Sequence, residues 1–189
     1  MRLLIAVLCA AGALAGQTLE QAQSLWKQHR YQEAEHAFES LIAAHPRNAE
    51  YRVEMGRLFL ERFNSTEAAK LFNEALEIQP KQADALLGLA MVASQTFEAQ
   101  ATYFAHQALD ADPHLLAAQE LLARLELEDN DPAKAAEEAH KALAMSSDSV
   151  QGKAILATID WLNGKTDSAW DPHSGPAYET AGRQDAFAL

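Results

Sequence analysis

The chain has 189 residues, 49% of them hydrophobic, and its 27 acidic residues against 15 basic ones give a formal net charge of −12. That length supports one domain with a substantial core. The acidic balance excludes a nucleic-acid partner, because such binding relies on clustered lysine and arginine, and the scarcity of glycine (8) and proline (6) fits an all-helical chain.

The N-terminus reads as a secretory signal. Met1-Arg2 supplies one positive charge, residues 3–15 are apolar, and Ala13-Leu14-Ala15 gives the small-x-small pattern that a signal peptidase accepts. The stretch falls short of the roughly 20 apolar residues of a membrane-spanning helix. Residues 1–15 are therefore expected to be cleaved after Ala15 or Gly16, leaving a secreted or periplasmic protein with no stable membrane span. An uncleaved anchor, or an apolar helix packed on the rest of the chain, stays open as the alternative. The only cysteine, Cys9, follows Leu8 where a lipidation signal wants a small residue, so lipidation is not expected. Cleavage would leave no cysteine, and stability would rest on helix packing without a disulfide.

A period of 34 residues dominates the chain beyond this segment. Ala34, Phe38 and Pro46 return as Ala68, Phe72 and Pro80. A third copy has Ala101, Ala105, Ala108 and Pro113, one residue short of the period, and the missing residue is expected in the turn around Thr96-Phe97-Glu98. A deletion inside a helix would instead rotate its apolar face by about 100°. The fourth copy has Ala135, Ala139 and Ala142, with Ser147 in place of the proline. Upstream of each copy lies a second amphipathic segment, at residues 19–28, 50–63, 83–94, 114–127 and 149–162. Small residues recur within these segments at Ala22, Gly56, Ala90, Ala123 and Ala157, where they would let two helices of one hairpin approach closely.

This pattern resembles the tetratricopeptide repeat, W-x2-L-G-x2-Y…A-x3-F…P, best at Arg52-Val53-Glu54-Met55-Gly56-Arg57-Leu58-Phe59 through Ala68, Phe72 and Pro80. The resemblance covers residues 17 to 163. It implies an all-α, TPR-like α-solenoid, a right-handed superhelix of antiparallel helix pairs with about four and a half repeats. The expected divisions are 17–48, 49–82, 83–115 and 116–148 for four repeats, 149–170 for a partial fifth, and 171–189 for a loose tail or a truncated further repeat.

Nothing in the sequence carries catalytic chemistry. The seven histidines form no HExxH pair and no close Cys/His cluster, and no metal or other cofactor is expected. His106 and His140 share one repeat phase, which reads as two solvent-facing histidines, or else as two ligands of an incidental metal site. The pairs Glu33/Glu35, Glu126/Glu128 and Glu137-Glu138 read as solvated helix faces. Ser146, Ser147 and Ser149 lack a G-x-S-x-G context, so the chain is not expected to be an enzyme.

The resemblance also implies that the first helix of each pair lines a concave groove that binds a protein or peptide. Residues just past the small position would point into it: Gln23 and Trp26, Arg57 and Leu60, Met91 and Ser94, Arg124 and Leu127, Thr158 and Trp161. Gln23, Arg57 and Met91 do not reproduce the Lys/Asn/Arg carboxylate clamp of chaperone-binding members. Arg57 and Arg124 either contact an acidic or C-terminal group of an extended peptide, or pair with Glu54, Glu61, Glu120 or Glu128 on neighbouring helical turns.

The repeat decays after Leu162. Asn163-Gly164-Lys165 is a helix stop, Thr166–Trp170 begins what would be the second helix of the fifth repeat, and Pro172, Gly175 and Pro176 end it, so that repeat is only half complete. A polar capping helix is not visible, so either residues 178–189 fold back as a cap or the chain is the front part of a longer repeat protein. The sequence supports three readings of function: a non-enzymatic binding scaffold, the N-terminal repeat region of a larger enzyme, and a self-assembling module that associates through its uncapped C-terminal end.

Overall fold

Every second helix of the chain packs against both the helix before it and the helix after it, so the hairpins form a stack. The computed structural model describes residues 18–165 apart from Phe97. Among the described residues the elements are all helical: α1 Leu19–Lys27, α2 Tyr31–Ala44, α3 Ala49–Glu61, α4 Ser65–Ile78, α5 Ala83–Ala93, α6 Glu98–Ala111, α7 Leu116–Glu128, α8 Pro132–Met145 and α9 Val150–Leu162. The hairpins are α1·α2, α3·α4, α5·α6 and α7·α8, and α9 opens a fifth. First helices also touch along the stack, α3 on α5, α5 on α7 and α7 on α9. The expected signal segment, the second-helix start of the partial fifth repeat at Thr166 and the expected tail 171–189 lie outside the described residues.

Four of the five recurring small residues are buried where the helices meet, and Ala157 of α9 is only partly buried. Ala22, Ala34, Ala68, Ala90, Ala101, Ala123 and Ala135 are completely buried. In the second hairpin the packing is closest around Phe72 of α4, itself fully buried. A Cβ on Gly56 would stand 2.7 Å from its ring, and one on Gly88 would collide with the same ring. Phe72 is thus wedged against the backbones of α3 and α5, joining two consecutive repeats. The third and fourth repeats carry Ala105 and Ala139 at the phase of Phe72. There bulk comes from other positions, with Leu121 and Leu122 in the buried cluster that holds Ala105 and Ile155 in the one that holds Ala139.

The turns explain how the period is kept. Gln28-His29-Arg30, Arg62-Phe63-Asn64 and Asp129-Asn130-Asp131 each place their middle residue in the left-handed region, at φ 58°, 57° and 59°. Each closes with the third residue's N–H donating to a carbonyl five residues back, Leu25, Phe59 and Glu126 respectively. That is the Schellman helix stop, and Gly164 (φ 75°) ends α9 the same way, with Lys165 N–H donating to Asp160.

The third hairpin departs from this form. Its missing residue does fall between Ala90 and Glu98, as the spacing predicts, but the turn is not shortened. Instead α5 has 11 residues where α3 has 13, and the turn gains one. Ser94, Gln95 and Thr96 donate to Ala90, Val92 and Ala93, so the helix unwinds through tight turns. Ending α5 early preserves the apolar face of α6, whose Ala101, Ala105 and Ala108 stay fully buried.

Helix starts are capped locally. Thr18 and Gln21 form a reciprocal box on α1, with Gln21 N–H donating to Thr18 Oγ1 at 3.2 Å and Thr18 N–H to Gln21 Oε1 at 3.1 Å. Asn48, Asn64, Gln82, Asp131 and Ser149 cap α3, α4, α5, α8 and α9. Each satisfies an N–H that the helix itself leaves unpaired.

Candidate functional site

A groove of about 760 Å³ runs across the first helices. Its lining comes from Trp26 of α1, Leu60 of α3, Leu87 and Met91 of α5, Leu121 of α7 and Gln151 of α9, with Arg57, Glu61, Glu120 and Arg124 among them; α2, α4, α6 and α8 contribute nothing. The reason is geometric. Second helices bury their apolar faces between two hairpins, while first helices keep one stripe out of the stack, and the 34-residue period brings those stripes into register.

Of the residues the sequence places in the groove, Trp26, Arg57, Leu60, Met91, Ser94 and Arg124 line it together. The other four do not. Gln23 is drawn away, its Nε2 donating to Glu54 Oε2 at 2.8 Å. Leu127 packs half-buried against the cluster around Ile155. Thr158 donates its hydroxyl to Ala154 O in its own helix at 2.9 Å. Trp161 lies 63% exposed outside the groove, because of α9 only Gln151, near its start, reaches the lining. Leu87, Glu61, Glu120 and Leu121 belong to the groove, although the repeat phase does not point to them. Glu61 lies one residue beyond Leu60 and Leu121 one turn before Arg124, so a wider helical stripe includes them.

The two arginines are engaged within the protein. Arg57 Nη1 donates to Glu54 Oε1 at 2.7 Å, and its Nη2 pairs with Asp84 of α5. With Gln23, this makes a polar ladder over α1, α3 and α5, in which Glu54 is only 8% exposed. Arg124 Nη1 pairs with Glu128 Oε1 at 2.5 Å, one turn along α7. Of the two alternatives the sequence leaves open, internal pairing is therefore realised for both, and the partner it misses is Asp84, 27 residues from Arg57.

Two groove carboxylates are differently placed. Glu61 accepts from Trp26 Nε1 at 2.6 Å and from the Tyr31 hydroxyl at 2.9 Å. The bond to Glu61 raises the Tyr31 phenol above its ordinary value, since losing the proton would set two anions side by side. Glu120 accepts from Ser149 Oγ at 2.6 Å. Neither carboxylate makes an ion pair among the described residues.

His106 and His140 are both exposed, and among the described residues no three His, Cys, Asp or Glu side chains converge as a metal site would require. No described helix is long and apolar enough to cross a membrane.

The tetratricopeptide repeat family model matches residues 19–83 and 53–114, together more than half of the chain. This chain belongs to the tetratricopeptide repeat family. Solved TPR structures agree in fold. PilF of Pseudomonas aeruginosa superposes with a TM-score of 0.71 at 16% identity, over 79% of this chain and 69% of that one. A thermophilic TPR protein of Thermus thermophilus gives 0.68 at 18% identity, over 80% and 84%. YrrB, a TPR protein with an unusual peptide-binding site, gives 0.58 at 12% identity, over 80% and 78%. At such identities the likeness concerns the fold. No curated protein sequence matches the chain. The all-α TPR solenoid read from the 34-residue period is thus the fold observed.

Proposed function

We propose that this TPR chain is a non-enzymatic scaffold that holds a protein or peptide segment in the groove of its first helices, and that it works in the cell envelope or outside the cell. The observation that carries the binding role is the groove itself. Leu60, Leu87, Met91 and Leu121 form an apolar floor across three repeats, with Met91 45% exposed. A side chain of that kind gains by being covered. The location rests on Arg2, the apolar residues 3–15 and Ala13-Leu14-Ala15. Mass spectrometry of the protein from its native cells tests it. A mature chain starting at Gly16 or Gln17 supports the proposal, and a retained Met1 in the cytosol contradicts it.

The binding role is tested by affinity purification of the full chain against Leu60→Ser/Met91→Ser. Selective loss of co-purifying proteins, at unchanged helix content, supports the groove. The same proteins at the same yield would exclude it. A second reading, self-association through α9, rests on Trp161 and Leu162 being 63% and 59% exposed. Size-exclusion chromatography of the chain and of Trp161→Glu separates that case, since only self-association predicts a smaller species for the variant.

A further inference from the structure

We infer that the groove selects an extended segment carrying a bulky apolar side chain flanked by basic residues, and not an acidic tail. This rests on the groove reading proposed above and adds the chemistry of the occupant. The apolar half of the inference comes from the floor, since Leu60, Leu87, Met91 and Leu121 give an aliphatic surface between the charged walls.

Charge decides the other half. Arg57 is matched by two carboxylates, Glu54 and Asp84, so that cluster has a net negative charge. Arg124 is matched by Glu128 and is neutral as a pair. Glu61 and Glu120 receive only neutral donors, the Trp26 indole and Tyr31 hydroxyl in one case and the Ser149 hydroxyl in the other. In the lining itself Arg57 and Arg124 balance Glu61 and Glu120, and the carboxylates that pair with the arginines, Glu54, Asp84 and Glu128, make the surroundings of the groove anionic. An incoming carboxylate would meet guanidiniums whose charge Glu54, Asp84 and Glu128 already match, and would stand beside those carboxylates, so it gains little there. An incoming ammonium or guanidinium meets Glu61 or Glu120 with nothing to displace. The two carboxylates lie on α3 and α7, either side of Met91 on α5, which sets the order basic–apolar–basic along the segment.

The test is selection of a displayed random 12-residue peptide library on the folded chain, followed by fluorescence anisotropy with the enriched peptides made synthetically. Enriched peptides should pair Lys or Arg with a central large apolar residue. Glu61→Gln and Glu120→Gln keep the acceptor oxygens for Trp26 and Ser149 and should each weaken binding about threefold to tenfold. Glu39→Gln/Glu77→Gln, which removes two exposed charges from second helices, should change it less than twofold, so a general attraction to the acidic chain is separated from the groove. Replacing the apolar residue of the peptide by Ser should abolish binding. Enrichment of acidic peptides that depend on Arg57 and Arg124 would overturn the inference while leaving the groove reading in place. No enrichment, or binding indifferent to Met91→Ala, would overturn both.

Discussion

The contact of Phe72 with Gly56 and Gly88 makes the sign of a mutation depend on its background. An alanine Cβ at Gly88 would lie 2.5 Å from Cε1 and Cε2 of Phe72, where ordinary contact is 3.4–4 Å. The ring cannot withdraw freely, because it is fully buried and also tight against Gly56. Overpacking of that kind costs about 1–3 kcal/mol. Replacing a helical glycine by alanine returns about 1 kcal/mol. Gly88→Ala should therefore destabilise the protein by roughly 1 kcal/mol, and by about 2 at most. In a Phe72→Leu background the ζ and ε atoms are gone, and the same change should stabilise by about 0.5–1 kcal/mol. The coupling is then about 1.5–3 kcal/mol, within the range for residues in direct contact. Urea unfolding followed by circular dichroism reads it, with the midpoint moving down in one background and up in the other at constant slope. Equal midpoint shifts in the two backgrounds would refute the wedge.

Phe63 sits at φ 57° and is 91% exposed, so Phe63→Gly relieves left-handed strain without loss of packing and should stabilise by about 1 kcal/mol in thermal melts. Gln119, 3% exposed, donates to Glu138 O at 3.2 Å and to the Glu138 carboxylate, tying α7 to α8; Gln119→Leu removes that tie and leaves one carboxylate oxygen without its donor, while the other keeps Lys141, and should cost about 1–3 kcal/mol in urea. Below neutral pH, Asp131 is held under its ordinary value chiefly by the Lys134 N–H, and Glu33 and Glu137 by Arg30 and Lys141. Carboxyls lowered in the folded state stabilise it above the unfolded value of about 4 and lose that contribution as pH falls through the folded one. Melting temperature should thus fall as pH drops below about 4, and Asp131→Asn, which keeps a cap but no charge, should flatten that fall.

Much of this architecture is legible in the sequence because the period acts on residues that the packing itself requires. Ala22, Gly56, Ala90 and Ala123 are buried where the phase puts them, and Trp26, Leu60 and Met91 share one groove. Arg124 with Glu128 is also accessible, since residues four apart on a helix face each other. What fails are inferences that assume every repeat stands in the same place relative to its neighbours. Trp161 stands four residues past the small position, as Trp26 does, but does not share its surroundings, because only the start of α9 reaches the groove. The pairing of Arg57 with Asp84 depends on how α5 sits beside α3, and no local spacing encodes it. Gly88 is hidden for a related reason. It lies two residues before the recurring small position at Ala90, at the phase of Glu54 and Leu121, and matters only because Phe72 reaches across from the preceding hairpin.

The claim that the first helices hold the partner is tested most directly by site-specific photo-crosslinking in the native cells. A benzophenone side chain is placed at Met91 on α5 in one strain and at His106, exposed on the second helix α6, in another. A discrete adduct is expected from position 91, mapping to an apolar–basic segment of the partner, and none from position 106. Adducts of the same protein from both positions, or from position 106 alone, would contradict it.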